Sequence, residues 1–204
     1  MSVDSDHKEA LFLQRAKSEL DLAKAVFKLS TTSSLKHEFE LKDDQTFFSN
    51  VIGNAYYCIF YSAKALLQLN NIITELPEEH NKTLDEFEKL AVSGAIDTEL
   101  LVIYKSIVVK ADELLGIFRK EKAKRGTFTY RKLPQANFEP AKESIENAEK
   151  FFKNINLMIK SYAEGHVIVN VISLIKENTA ISQEELAEKT GISRKEIEWN
   201  ILQA

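Results

Sequence analysis

The densest group of chemically capable residues lies between positions 119 and 132, RKEKAKRGTFTYRK. Arg119, Lys120, Lys122, Lys124, Arg125, Arg131 and Lys132 set seven cations against one acid, Glu121, with Phe128 and Tyr130 among them. Cations interleaved with aromatic rings suit single-stranded nucleic acid, where phosphates are neutralised and bases stack. The same run would suit an acidic protein partner. The plainer alternative is a solvated helix end whose cations complement the macrodipole.

A second group follows helical spacing. Asn50, Asn54, Tyr57, Tyr61, Lys64 and Gln68 succeed one another at steps of four and three, so they share one stripe of a helix. Asn54, Tyr57, Tyr61 and Lys64 are the residues of this stripe expected at an interface between bundles or protomers, or in a ligand cleft, because aromatic groups off the core face mark contacts. The four histidines, His7, His37, His80 and His166, share no helical face with a ligand-spaced partner, so no metal site and no cofactor are expected. The single cysteine, Cys58, falls inside an apolar run, where a thiol is buried and inert. No glycine-rich phosphate loop occurs.

The elements that must position these groups are helices. Leu13, Ala16, Leu20, Ala23 and Phe27 define one face of a helix over 8–29. The polar segment 30–45 reads as a long connection. A second helix spans about 45–70, with Ile52, Ala55, Tyr56, Ile59, Ala63 and Leu66 inward. A third fits 79–92 and is stopped by Ser93-Gly94. Asp97 caps a fourth over 98–123. A loop holding Gly126 and Pro134 follows, then a helix over 139–164 that Gly165 is placed to end. No segment alternates apolar and polar residues over a strand's length. The expected fold is all-α, an antiparallel bundle of four to five helices at 1–165.

Composition agrees with that pattern. The 204 residues carry only 6 Gly and 3 Pro, few for a chain built on many turns. Hydrophobic residues make up 44% and charged residues 28%, the balance of a globular protein. The lone cysteine excludes an internal disulfide framework and fits a reducing cytoplasm. The polar N-terminus shows no secretory signal. The apolar stretch 51–69 is broken by Asn54 and Lys64, so it reads as a core helix and no membrane contact is expected. The net charge of −4 offers no global attraction to nucleic acid, which must come from a local patch.

After Gly165 the character changes. Residues 167–176 fit a short helix. Ser182 with Glu185 forms a capping box for a helix over 183–190. Gly191 sits at a turn, and Ser193, Arg194 and Lys195 open a further helix. Residues 166–204 therefore read as a helix-turn-helix-like segment. Its four Lys/Arg against six Asp/Glu disfavour phosphate, so it points to a protein-contact role as well as to DNA.

The segment NAYYCIFYSAKALL (54–67) resembles the second-helix signature of HEPN domains, the higher eukaryotes and prokaryotes nucleotide-binding family. Tyr56, Tyr57, Phe60, Ala65, Leu66 and Leu67 match it. His80 with LDEFEKL looks like the family's post-loop histidine and third helix, and FEPAKESIENAEKFFKNI like its last helix. RGTFTY (125–130) resembles the branch with Arg, four residues, then Tyr; Thr129 stands where that branch usually has Asp. The resemblance covers roughly 8–160. It implies a four- to five-helix bundle that forms a homodimer with a cleft between protomers. It also implies RNA or nucleotide as ligand, a toxin–antitoxin or defence setting, and a nucleotidyltransferase-type antitoxin partner.

Relatives that cleave RNA use Arg, four to six residues, then His; here Tyr130 stands at the His position. A tyrosine of ordinary pKa, near 10, is a poor base at neutral pH. The first expectation is thus a binding module that contacts nucleic acid through Arg119, Lys122, Lys124, Arg125, Tyr130, Arg131 and Lys132. The second is a metal-independent ribonuclease with an atypical site, Arg125 and Tyr130 with Asn54 or His80. The third is a dimeric transcriptional regulator that binds DNA through 166–204.

Overall fold

A computed structural model of the chain describes residues 8–123, 138–178, 181–190 and Ile197. The described residues are all-helical, as the periodicity predicts, and no strand occurs among them. The helices are α1 (Lys8–Thr31), α2 (Ser33–Glu38), α3 (Phe48–Leu69), α4 (Glu79–Val92), α5 (Thr98–Ala123), α6 (Phe138–Glu177) and α7 (Gln183–Thr190). The chain divides into two compact units, Met1–Asn156 and Leu157–Ala204.

The first unit is built around α3. All six residues expected to face inward, Ile52, Ala55, Tyr56, Ile59, Ala63 and Leu66, are buried. α3 packs along α1. Ala16 and Ala23 on α1, and Ala55 and Ala63 on α3, are fully buried, and such small side chains let two helices approach closely. The start of α6 meets both helices, where Phe138 contacts Phe27 of α1 and Phe48 of α3 at 5.4 and 5.7 Å between ring centroids. Ser30 ties the end of α1 to the start of α3: its hydroxyl donates to Val26 O at 2.8 Å and accepts from Phe47 N at 2.9 Å.

Chain reversals rest on left-handed residues. Gly94 ends α4 at φ +80, with Ala95 N donating to Leu90 O and Gly94 N to Ala91 O, the paired bonds of a Schellman motif. Asn71 at φ 58 ends α3 the same way, through Ile72 N to Leu67 O and Asn71 N to Gln68 O. Asp97 caps α5 as expected, its Oδ1 accepting from Glu99 N at 2.8 Å.

Two expectations are corrected. The segment 30–45 is not all connection, for it contains α2, too short for a periodic pattern to show. Lys36 of α2 is buried and donates to Asp43 O at 2.6 Å, which folds the rest of the segment back. Gly165 does not end its helix: α6 runs through it to Glu177 and absorbs the separate helix expected over 167–176. A glycine inside a helix costs about 1 kcal/mol against alanine. It terminates the helix only where it turns left-handed, and among the described glycines Gly94 alone does so.

In the second unit, Leu186 and Ile197 are buried. The capping box of α7 forms as expected, with Glu185 N donating to Ser182 Oγ at 3.1 Å and Ser182 N to Glu185 Oε2 at 3.4 Å.

Candidate functional site

The stripe opposite the core face of α3 meets the N-terminal part of α1 and the first turn of α4. From α1, Phe12 stacks on Tyr61 with centroids 6.4 Å apart and planes 16° from parallel. Arg15 holds its guanidinium carbon 5.6 Å from the Tyr61 centroid, and Lys64 holds its Nζ 4.7 Å from the Phe12 centroid. Alternating cations and rings at these distances attract through the ring quadrupoles. Tyr57 and Tyr61, one helical turn apart, stack at 6.2 Å. Tyr57 remains 38% exposed, whereas Asn54, Tyr61 and Lys64 are half-buried.

From α4 come Glu79 and His80. Glu79 forms an ion pair with Lys64, whose ammonium also donates to Thr74 O at 3.2 Å. Thr74 and Thr83 share a hydroxyl–hydroxyl bond of 2.8 Å, and Thr83 donates to Glu79 O at 2.7 Å. These bonds fasten the loop after α3 and the first turn of α4 to the stripe.

His80 is an exposed residue with one nitrogen anchored. Its Nδ1 lies 2.7 Å from the hydroxyl oxygen of Tyr56, a side chain that is itself only 8% exposed. The imidazole stacks on Phe60 at 4.1 Å and 28°, and Tyr57 stands edge-on at 6.0 Å. Partial burial holds the His80 pKa below its ordinary value; Lys64 pushes it the same way and Glu79 opposes. The ring is therefore neutral at pH 7 and able to give or take a proton.

Other groups are inert. Cys58 is fully buried, burial pushes its thiol up to about 12, and its Sγ faces Ala148 O at 3.9 Å. Tyr104 is fully buried, and burial raises its hydroxyl well above the ordinary value. No three His, Cys, Asp or Glu side chains converge as metal ligands among the described residues. Among them, no helix is long and apolar enough to cross a membrane.

The structure thus gathers Tyr57, Tyr61 and Lys64 with four residues not expected beside them: Phe12, Arg15, Glu79 and His80. Arg119 and Lys122 fall on the last turns of α5, whose side chains there lie outside the described set. Lys124, Arg125, Tyr130, Arg131 and Lys132, and likewise Ser193, Arg194 and Lys195, lie outside the described residues.

What fold and site define together is an all-helical bundle bearing an aromatic and cationic ledge beside an anchored imidazole. No family model matches the chain, and neither curated proteins nor solved structures give a match.

Proposed function

We propose that the chain is a nucleic-acid- or nucleotide-binding module of the HEPN kind. In this reading it is a cytoplasmic homodimer that serves a toxin–antitoxin or defence system beside a nucleotidyltransferase-type partner. The observation that carries the reading is the ledge on α3. Tyr57 offers an exposed ring for a base and stacks on Tyr61, Arg15 lies over the Tyr61 ring and Lys64 over the Phe12 ring, and Tyr57 and Lys64 belong to the segment that resembles the family signature. The cationic run 119–132 would add phosphate contacts.

The test is a gel shift with labelled, mostly single-stranded RNA at increasing salt. Affinity should fall steeply with salt, and Arg125→Ala should weaken binding and flatten that dependence by about one counterion. Tyr57→Ala should remove one stacking contact, worth about 1–3 kcal/mol. Absence of any shift at low salt would sink the reading and direct attention to an acidic protein partner for 119–132.

A further inference from the structure

The connection between α1 and α3 holds an aromatic ring out into solvent. Phe39, just past the end of α2, is 63% exposed. The backbone around it is well braced. Leu41 N donates to Lys36 O at 2.8 Å and Glu40 N to His37 O at 3.1 Å, the paired bonds that close a helix, with Glu40 left-handed at φ 55. The buried Lys36 donates to Asp43 O, and His37 pairs with the Asp43 carboxylate at 3.0 Å. A lone exposed ring is ordinary on a protein surface; its rim sets this one apart. Residues 37–44 carry Glu38, Glu40, Asp43 and Asp44 against one lysine, Lys42, and all five are exposed. Asp43 faces His37, whereas Glu38, Glu40 and Asp44 form no ion pair among the described residues. An apolar anchor inside an acidic rim fits a partner that is cationic and carries rings of its own.

The chain carries such a partner and brings it to this place. The segment 124–137 holds Lys124, Arg125, Arg131 and Lys132 with Phe128 and Tyr130, and no acid. It ends at Phe138, whose ring touches Phe27 in the last turns of α1 and Phe48 at the start of α3. Those two helix ends are the ends of the connection that presents Phe39. Lys132 stands six residues before Phe138, and six extended residues reach about 20 Å. Phe39 stands nine residues before Phe48, on a segment that Lys36 folds back. We propose that Phe39 with Glu38, Glu40 and Asp44 is the docking surface for the same chain's segment 124–137. Phe128 and Tyr130 supply the rings that pack on Phe39, and the carboxylates take the place of phosphates on Arg125, Arg131 and Lys132. Nucleic acid must then compete with the loop for those cations. The docking goes beyond the binding reading above; the competition rests on it.

The experiment is limited trypsin digestion of the full-length protein, with the free peptide 119–132 as unprotected reference and the cut sites read by mass. At low salt, cleavage between 124 and 132 should be about tenfold slower in the protein than in the peptide. Phe39→Ala should return most of that factor. So should a second variant that combines Glu38→Gln, Glu40→Gln and Asp44→Asn. All four positions are exposed, so both variants should melt at the wild-type temperature. Cleavage as fast as in the peptide overturns the proposal, as does protection that both variants leave intact. Protection that grows with protein concentration also overturns it, because the segment would then sit on a second copy. A gel shift with labelled single-stranded RNA separates this inference from the binding reading. The neutralised loop should bind RNA severalfold more tightly than wild type; equal affinity overturns the competition and leaves the docking. Protection with no RNA shift in any variant leaves the docking standing and removes the binding reading.

Discussion

Two aromatic clusters in the first unit use the same rings for different ends. The inner one joins Phe87, Tyr104 and Phe151, with centroids 5.3–5.9 Å apart and no ring reachable by water. The outer one joins Tyr57, Tyr61, Phe60 and His80 and reaches the surface at Tyr57 and His80. The inner rings supply apolar area and edge-to-face packing. The outer rings lie beside two polar pairs, Tyr56 with His80 and Lys64 with Glu79. Ring chemistry alone does not mark a site. What marks it is a ring edge that solvent can reach and a titratable group beside it whose orientation is already settled.

The contrast can be broken at its inner side first. Phe87→Ala should open a cavity among fully buried rings and cost about 3–5 kcal/mol, read by denaturant unfolding. A loss below about 1 kcal/mol would mean the inner cluster is not the anchor described. A smaller effect of opposite sign is expected at Tyr104, whose buried hydroxyl has no hydrogen-bond partner. Tyr104→Phe should leave stability unchanged or raise it by about 1 kcal/mol, since an unsatisfied buried hydroxyl is a penalty. A clear loss would reveal a bonded hydroxyl. The smallest effect sharpens the outer cluster. The folded pKa of His80 lies below its unfolded value, so the unfolded chain takes the proton first. The stability this contributes is complete above the unfolded pKa, about 6.5, and is lost as pH falls through the folded one. Melting temperature should therefore slope downward between pH 7.5 and 5.5 in wild type, and less steeply in His80→Asn. Equal slopes would place the titration elsewhere.

Helix ends were legible where a local cap writes them. Asp97 and the Ser93-Gly94 pair mark the start of α5 and the end of α4 in the sequence and in the structure. Gly165 shows the limit of that logic, because glycine permits a stop but does not compel one. The core face of α3 was legible because burial repeats with the helical period. The partners of its opposite stripe were not. Tyr56 and His80 are 24 positions apart and Lys64 and Glu79 are 15, separations set by how a loop returns and not by any spacing along one helix. Two hints pointed to His80: a histidine and a glutamate stand together at a predicted helix start, and His80 sits where the resembled family has its post-loop histidine. Phe12 and Arg15 were harder still, because on their own helix they look like an ordinary boundary between apolar and polar faces.

The sealed thiol of Cys58 has a practical consequence. It is the only sulfhydryl in the chain, and with no exposed surface and a pKa near 12 it presents almost no thiolate to an alkylating reagent at neutral pH. The protein therefore has a silent background for site-directed labelling. A cysteine introduced at an exposed position beside the ledge would take up a fluorophore or spin label alone, and distances to bound RNA could be measured without first removing the native residue.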